Sequence, residues 1–239
     1  MELKLDLHIH SEYSPDGRMS LAEIAERAKA AGLNGCAVCD HDRVLTEHFS
    51  DPDFLLIPGT EVSTQFGHLL GLFVSQPIDT RDFYEAAERI HAQGGIAVLA
   101  HPFEHKTDPA RIEPIVPLLD GVEIWNSRAE RKIPNANTLA KEFAAAHGLR
   151  RFAGSDAHVP QEVGNGYVTV DAEAFTLEAA KAALLENKLA IRGRRSPARY
   201  TAMSQFTKRK KTGASPAAYI KWALFAAKCC AQDLQRKGE

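Results

Sequence analysis

Cysteine is scarce in this chain and falls into no framework. The four present are Cys36, Cys39 and the adjacent pair Cys229-Cys230. That spacing excludes a disulfide scaffold and makes a reducing, intracellular location the default. Long apolar runs are also missing, none reaching the ~18–20 residues of a membrane span. The acidic start Met1-Glu2-Leu3-Lys4 does not read as a signal peptide. A cytoplasmic protein with no membrane partner is therefore expected. A surplus of one charge is absent too: the formal net charge is -2, which gives no overall pull towards nucleic acid. The sequence holds no internal repeat and no long low-complexity segment. Cys36-Ala37-Val38-Cys39 has the spacing of a redox or zinc pair, but it lies in a strand-like run of small residues where buried thiols are common. A structural role is expected for it.

At 239 residues, with 44% hydrophobic and 25% charged residues, the chain can bury the core of one sizeable domain. Strand-like runs at 3–9, 35–39, 54–61, 68–74, 96–100, 121–125 and 151–154 alternate with helical patterns. The first helix has Ser20 as N-cap, Glu23 at the capping-box position and Gly32 after its end. Residues 82–93, 135–146 and 176–187 read as further helices, and Pro114 and Pro117 break up a short one at 109–119. The run at 68–74 reads as a hairpin return from 54–61. Such alternation argues an α/β fold with a mainly parallel sheet, open or closed into a barrel.

Polar residues decide where the chemistry lies, because barrels gather functional side chains at the C-terminal ends of their strands. His8 and His10, two apart on a strand, project from one face about 6–7 Å apart. Asp40-His41-Asp42, His101, Asn126 and Ser155-Asp156-Ala157-His158 each follow a strand, Glu61 ends one, and the hairpin return brings His68 to the same end. Six of the ten histidines thus converge with Asp16, Glu61 and Asp156. Burying so many ionisable groups without a metal or other partners would cost several kcal/mol each. His48, His91, His105 and His147 lie in helical or loop contexts and read as surface residues.

Five separated motifs, Asp6-Leu7-His8-Ile9-His10-Ser11, Cys39-Asp40-His41-Asp42, Gly59-Thr60-Glu61, Ala100-His101-Pro102 and Gly154-Ser155-Asp156-Ala157-His158, stand in the order typical of the polymerase-and-histidinol-phosphatase (PHP) superfamily. The chain resembles that superfamily from residue 1 to about 195. The resemblance implies a distorted (β/α)7 TIM-like barrel with two to three divalent metals at its C-terminal mouth. Carried over, it gives His8, His10, Glu61 and Asp156 to one metal. Glu61 bridges to a second metal completed by His68 and His101, and Asp16, His41 and His158 hold a third. Imidazole and carboxylate ligands together suit Zn, Mn or Fe. The implied chemistry is hydrolysis of a phosphate ester by hydroxide, formed from a metal-bridging water whose pKa falls towards about 7. Asp6, Asp40 and Asp42 read as partners that orient the ligating histidines, with a cap or turn role as the competing reading for Asp42. Two departures stand out. Cys39 replaces a common threonine, and the short interval from His101 to Asp156 leaves no room for the helical insertion carried by nucleotide-cleaving relatives, so a more open site is expected.

For substrate phosphate the first candidate is Arg128, after the strand ending at Trp125, followed by Arg18, Arg43 and Asn126. The tail of the chain changes character. Arg192-Gly193-Arg194-Arg195 and Lys208-Arg209-Lys210-Lys211 are basic, residues 196–215 read as a flexible linker, and 217–234 has the pattern of an amphipathic helix. The expected organisation is a barrel over 1–195 and a basic linker with a terminal helix over 196–239, in an oligomeric state the sequence leaves open. A phosphoesterase acting on a small phosphorylated metabolite or nucleotide is the leading expectation. A nuclease, suggested by the basic runs, is the alternative, and a non-catalytic metal-binding regulatory module is the alternative of another class.

Overall fold

A computed structural model describes residues 1–186 and 188–236. The element order is β1 (Glu2–Ile9), α1 (Leu21–Ala30), β2 (Gly35–Val38), β3 (Leu55–Thr64), β4 (Gly67–Leu72), α2 (Phe83–Ala92), β5 (Ile96–Leu99) and α3 (Pro109–Ile112). It continues with β6 (Gly121–Asn126), α4 (Ala136–Ala146), β7 (Arg150–Gly154), β8 (Gly166–Asp171), α5 (Leu177–Glu186), β9 (Leu189–Gly193), α6 (Ala198–Lys211) and α7 (Pro216–Arg236). Local signals explain the boundaries. Ser20 accepts the Glu23 N–H at the start of α1, and Asp82 accepts the Glu85 N–H at the start of α2. Gly32, Gly94 and Gly148 take positive φ just past α1, α2 and α4. The expected end of α5 at Asn187 lies outside the described residues.

The nine strands form one sheet in the order β7-β6-β5-β4-β3-β2-β1-β8-β9. Strands β1, β2 and β3 are parallel, as are β5, β6 and β7, and β4 runs antiparallel between the two groups as the expected hairpin return. The sheet then nearly closes. The first half of β1 pairs antiparallel with β8, while its last residues meet the extension of β7. There the Asp156 N–H donates to His8 O at 2.8 Å and the His10 N–H to Ala157 O at 2.8 Å. The result is a distorted TIM-like barrel with the ends of six parallel strands and the start of β4 at one rim. Leu3, Leu5 and Leu7 pack with Ile57, Leu70, Val98 and Phe152 in one core cluster, and Phe83, Ile90, Val122 and Phe143 fill a second. No helix among the described residues is long and apolar enough to cross a membrane.

Two readings change. Strands β8 and β9 were unassigned in the sequence, where Arg192 and Gly193 counted as basic tail. Residues 198–211, expected as flexible linker, form α6. That helix has no apolar stripe to reveal it and is held by tertiary contacts instead. Asp233 of α7 accepts from the Ala198 and Arg199 N–H groups at 2.6 and 3.1 Å, and the Trp222 indole donates to Ala202 O at 2.8 Å.

The barrel seam tolerates no extra atom. A Cβ on Gly154 would lie 2.3 Å from the His8 Cβ and 2.8 Å from the His8 nitrogen. Gly154→Ala is expected to cost about 3 kcal/mol or more in denaturant unfolding, because backbone must move to relieve it. An unchanged midpoint would show that β1 and β7 are not packed as described.

Candidate metal centre

All nine donor residues expected at the mouth meet there. Glu61, expected as the last residue of its strand, lies within β3, which runs on to Thr64, and is 1% exposed. Its Oε1 lies 2.7 Å from His68 Nδ1 and 2.9 Å from His101 Nε2. Its Oε2 lies 2.8 Å from His41 Nδ1, 3.5 Å from His10 Nε2 and 3.7 Å from His8 Nε2. Asp156 Oδ1 faces His10, His158 and His8 at 3.2, 3.5 and 3.7 Å. Asp16 Oδ1 faces His158 Nε2 at 3.4 Å and His41 Nε2 at 3.5 Å. Three overlapping groups bring ligand atoms within 4.8 Å of one another: His8, His10 and Asp156; His8, Glu61 and His101; His10, His41 and His158.

These donors suit divalent cations. Asp16 Oδ1, Glu61 Oε2 and His68 Nδ1 are buried without a hydrogen bond, although other donor groups stand close by. Carboxylate oxygens and imidazole nitrogens that converge on one buried space form a donor set suited to a cation. The backbone bends to deliver them: His101, Asp156 and Asp42 adopt φ of 26°, 54° and 52°, a region that costs non-glycine residues energy.

Charge within the cluster follows the same logic. Burial disfavours the imidazolium of His41, but the Glu61 carboxylate beside it lifts its pKa to about 9. Burial likewise opposes charge on His101, and its hydrogen bond to Glu61 raises it to about 10. His8 is also raised against burial, by Glu123, Asp156 and Glu61. His10 is pushed down by burial and by His158 and His41. Burial opposes ionisation of Glu61, Asp156 and Asp16, yet the surrounding histidines hold all three below the usual carboxylate range.

A ring of partners fixes the histidine faces. His8 Nδ1 lies 3.0 Å from Glu123 Oε1, while Glu123 Oε2 accepts the His101 N–H and the Asn126 side-chain amide, each at 3.0 Å. Ser14 Oγ lies 3.1 Å from His10 Nδ1 and accepts the His41 N–H at 3.1 Å. Neither Glu123 nor Ser14 was singled out in the sequence, although a lone acid in the apolar run Gly121-Val122-Glu123-Ile124 is a usable signal.

The expected aspartate partners act through the backbone. Asp6 accepts the Ser155, Gly164 and His8 N–H groups, and burial raises its pKa to about 7 against those bonds. Asp40 accepts the Ser11 N–H at 2.8 Å and the Ser11 hydroxyl at 2.5 Å. Asp42 accepts the Ser63 N–H at 2.7 Å and takes the turn role.

The substrate candidates fare differently. Arg128 borders the cavity, but its guanidinium forks onto buried Glu162, a carboxylate that needs a cation. Asn126 caps a turn, accepting the Arg128 and Ala129 N–H groups. Arg43 pairs with Glu47 and stacks over Tyr13, and Arg18 lies in a separate cleft beside Lys210. The wall of the ≈460 Å³ cavity over the cluster also carries Arg131 and Lys208, together with Arg81 and Lys132, which pair with Asp42 and Glu104. Of the basic runs, Arg194 bonds Asn165, Arg195 pairs with Glu130 and Arg199 with Asp233. His48, His91 and His105 are exposed and His147 is half-buried, and Cys36 and Cys39 are buried free thiols, as expected.

Known proteins share the family and the fold. The PHP-associated family model matches residues 134–189. An uncharacterized protein of Methanocaldococcus jannaschii is 32% identical over 179 residues, covering 70% of each chain. A two-domain Bacteroides vulgatus protein containing a predicted PHP-like metal-dependent phosphoesterase superposes with a TM-score of 0.62 at 21% identity, over 81% of this chain and 65% of that one. The lesion-specific endonuclease Q of Pyrococcus furiosus superposes with a TM-score of 0.58 at 21% identity, over 80% of this chain and 58% of its own. Endonuclease Q is also known in complex with a 27-mer duplex carrying an abasic lesion at the active site. The chain thus spans somewhat less than two thirds of these two structures. Motif order, barrel and sequence likeness together place the chain in the PHP superfamily.

Proposed function

We propose that the protein is a metal-dependent hydrolase of phosphate esters, acting on a small phosphorylated metabolite or nucleotide. The observation that carries this reading is a buried His/carboxylate cluster with orphaned ligand atoms, opening into a cavity walled by Arg81, Arg131, Lys132 and Lys208. In this reading His8, His10, Glu61 and Asp156 hold one metal, Glu61, His68 and His101 a second, and Asp16, His41 and His158 a third. Such metals supply a lowered pKa for coordinated water and neutralisation of phosphate charge. The chain's own groups do the rest. Glu123 accepts a hydrogen bond from His8 Nδ1–H and so leaves Nε2 turned to the cluster, and Ser14 Oγ accepts one from His10 Nδ1–H to the same effect. The cationic wall offers donors to phosphate oxygens beyond the cluster, and the openness over it leaves room for substrates of varied size.

A nuclease reading is favoured by one observation, the fold shared with a DNA-bound endonuclease. Against it, Arg194 and Arg195 of the first basic run, and Arg199 after it, engage internal partners.

Four outcomes follow. Hydrolysis of a generic aryl phosphate should fall about 100-fold or more on chelation and in His101→Ala; activity that survives both would remove the metal reading. Glu123→Gln should weaken metal binding by about 10–100-fold with the barrel intact, measured by titration calorimetry. At pH 7, below the raised pKa values of His41 (about 9) and His101 (about 10), both imidazoles are protonated in the metal-free protein. Metal uptake should therefore release protons, read as a buffer-dependent binding enthalpy, and metal affinity should rise with pH; an enthalpy independent of buffer would contradict that protonation state. Finally, a small-molecule phosphoesterase should bind oligonucleotides weakly, whereas affinity falling steeply with salt would favour the nuclease.

A further inference from the structure

We propose that Lys211, the last residue of α6, is a positioning residue for Asp16, clamping the β1–α1 loop so that this carboxylate faces His41 and His158. The proposal rests on the reading of Asp16 as a metal ligand. The loop between β1 and α1 turns three backbone carbonyls, those of Glu12, Ser14 and Gly17, towards one point. Lys211 Nζ donates to them at 2.5, 2.8 and 2.7 Å. An ammonium has three N–H donors, so the three carbonyls saturate it.

Asp16 lies between two of the clamped residues. Its Oδ1 stands 3.4–3.5 Å from His158 and His41 and receives no hydrogen bond. The backbone on either side of Asp16 is held by Lys211, which fixes the stretch of loop from which the carboxylate projects. Gly17 tightens the same path, since a Cβ there would lie 2.0 Å from Ser11 O.

The clamp is itself anchored. Asp233 and Trp222 of α7 hold the first turns of α6. Further along, Ser204 accepts from Arg128, whose guanidinium engages Glu162, and Glu162 accepts the His158 N–H at 3.1 Å. One helix therefore sets the positions of two facing groups: Asp16 through Lys211, and His158 through Arg128 and Glu162. The basic run 208–211, which reads in sequence as a solvated or nucleic-acid-binding stretch, ends in an internal contact.

The test is Mn(II) titration of chelator-stripped wild-type, Lys211→Met and Asp16→Asn proteins, with hydrogen–deuterium exchange on the same metal-free samples. Lys211→Met should weaken one class of Mn(II) site about tenfold or more. That class should be the one Asp16→Asn weakens, with the remaining sites at wild-type affinity and exchange faster over residues 12–18. If Asp16→Asn weakens no site, the ligand reading fails and takes this role with it. If Asp16→Asn weakens a site that Lys211→Met leaves intact, Lys211 merely docks a helix and the proposal is overturned. Should Lys211→Met not fold, Lys211→Gln decides by exchange, because its shorter, neutral amide has two N–H donors for three carbonyls. Faster exchange confined to 12–18 supports the clamp, and unchanged protection there overturns it.

Discussion

The buried Glu61 carboxylate, faced by imidazole nitrogens on both oxygens, is the contact on which the rest of the structure depends. A carboxylate removed from water requires positive charge. In the metal-free protein protons on the histidines supply it, which is why His41 and His101 are shifted up while Glu61 is shifted down. Divalent cations would meet the same demand more fully, since they also satisfy the orphaned lone pairs. The strained backbone at His101 and Asp156 is a cost the barrel bears to bring these groups together.

The barrel is built to hold this arrangement. Parallel strands deliver His8, His10, His41, Glu61 and His101 to one rim, and the antiparallel β4 brings His68 to it. At the seam, β1 divides its pairing between β8 and the segment after β7, so His8 and Asp156 become neighbours through a main-chain hydrogen bond. Gly154 permits that approach by having no side chain.

Much of this was legible in the sequence because strand-end position and residue type coincide at His8-x-His10, His101 and Asp156-x-His158, while Glu61 shows as an acid closing an apolar run although its strand continues to Thr64. What escaped was carried by tertiary contact. Glu123 and Ser14 act only through the histidines they touch. Arg128 looked like a phosphate fork until Glu162, 34 residues away in sequence, was seen to occupy it. Helix α6 lacks the periodicity that marks a packed helix, because one end is capped by α7 and the other is tied to the Asp16 loop. Local pattern cannot report a helix whose reasons lie elsewhere in the chain.

The C-terminal hairpin of α6 and α7 is therefore part of the mouth, contributing Lys208 to the cavity wall and bracing the loops that carry Asp16 and His158. Anomalous diffraction from crystals grown with Mn(II) or Zn(II) tests the central claim most directly. Bound metals should give anomalous peaks about 2.0–2.3 Å from the Glu61 oxygens and from the imidazoles and carboxylates facing them. Well-ordered side chains around Glu61 with no anomalous peak among them would contradict that claim.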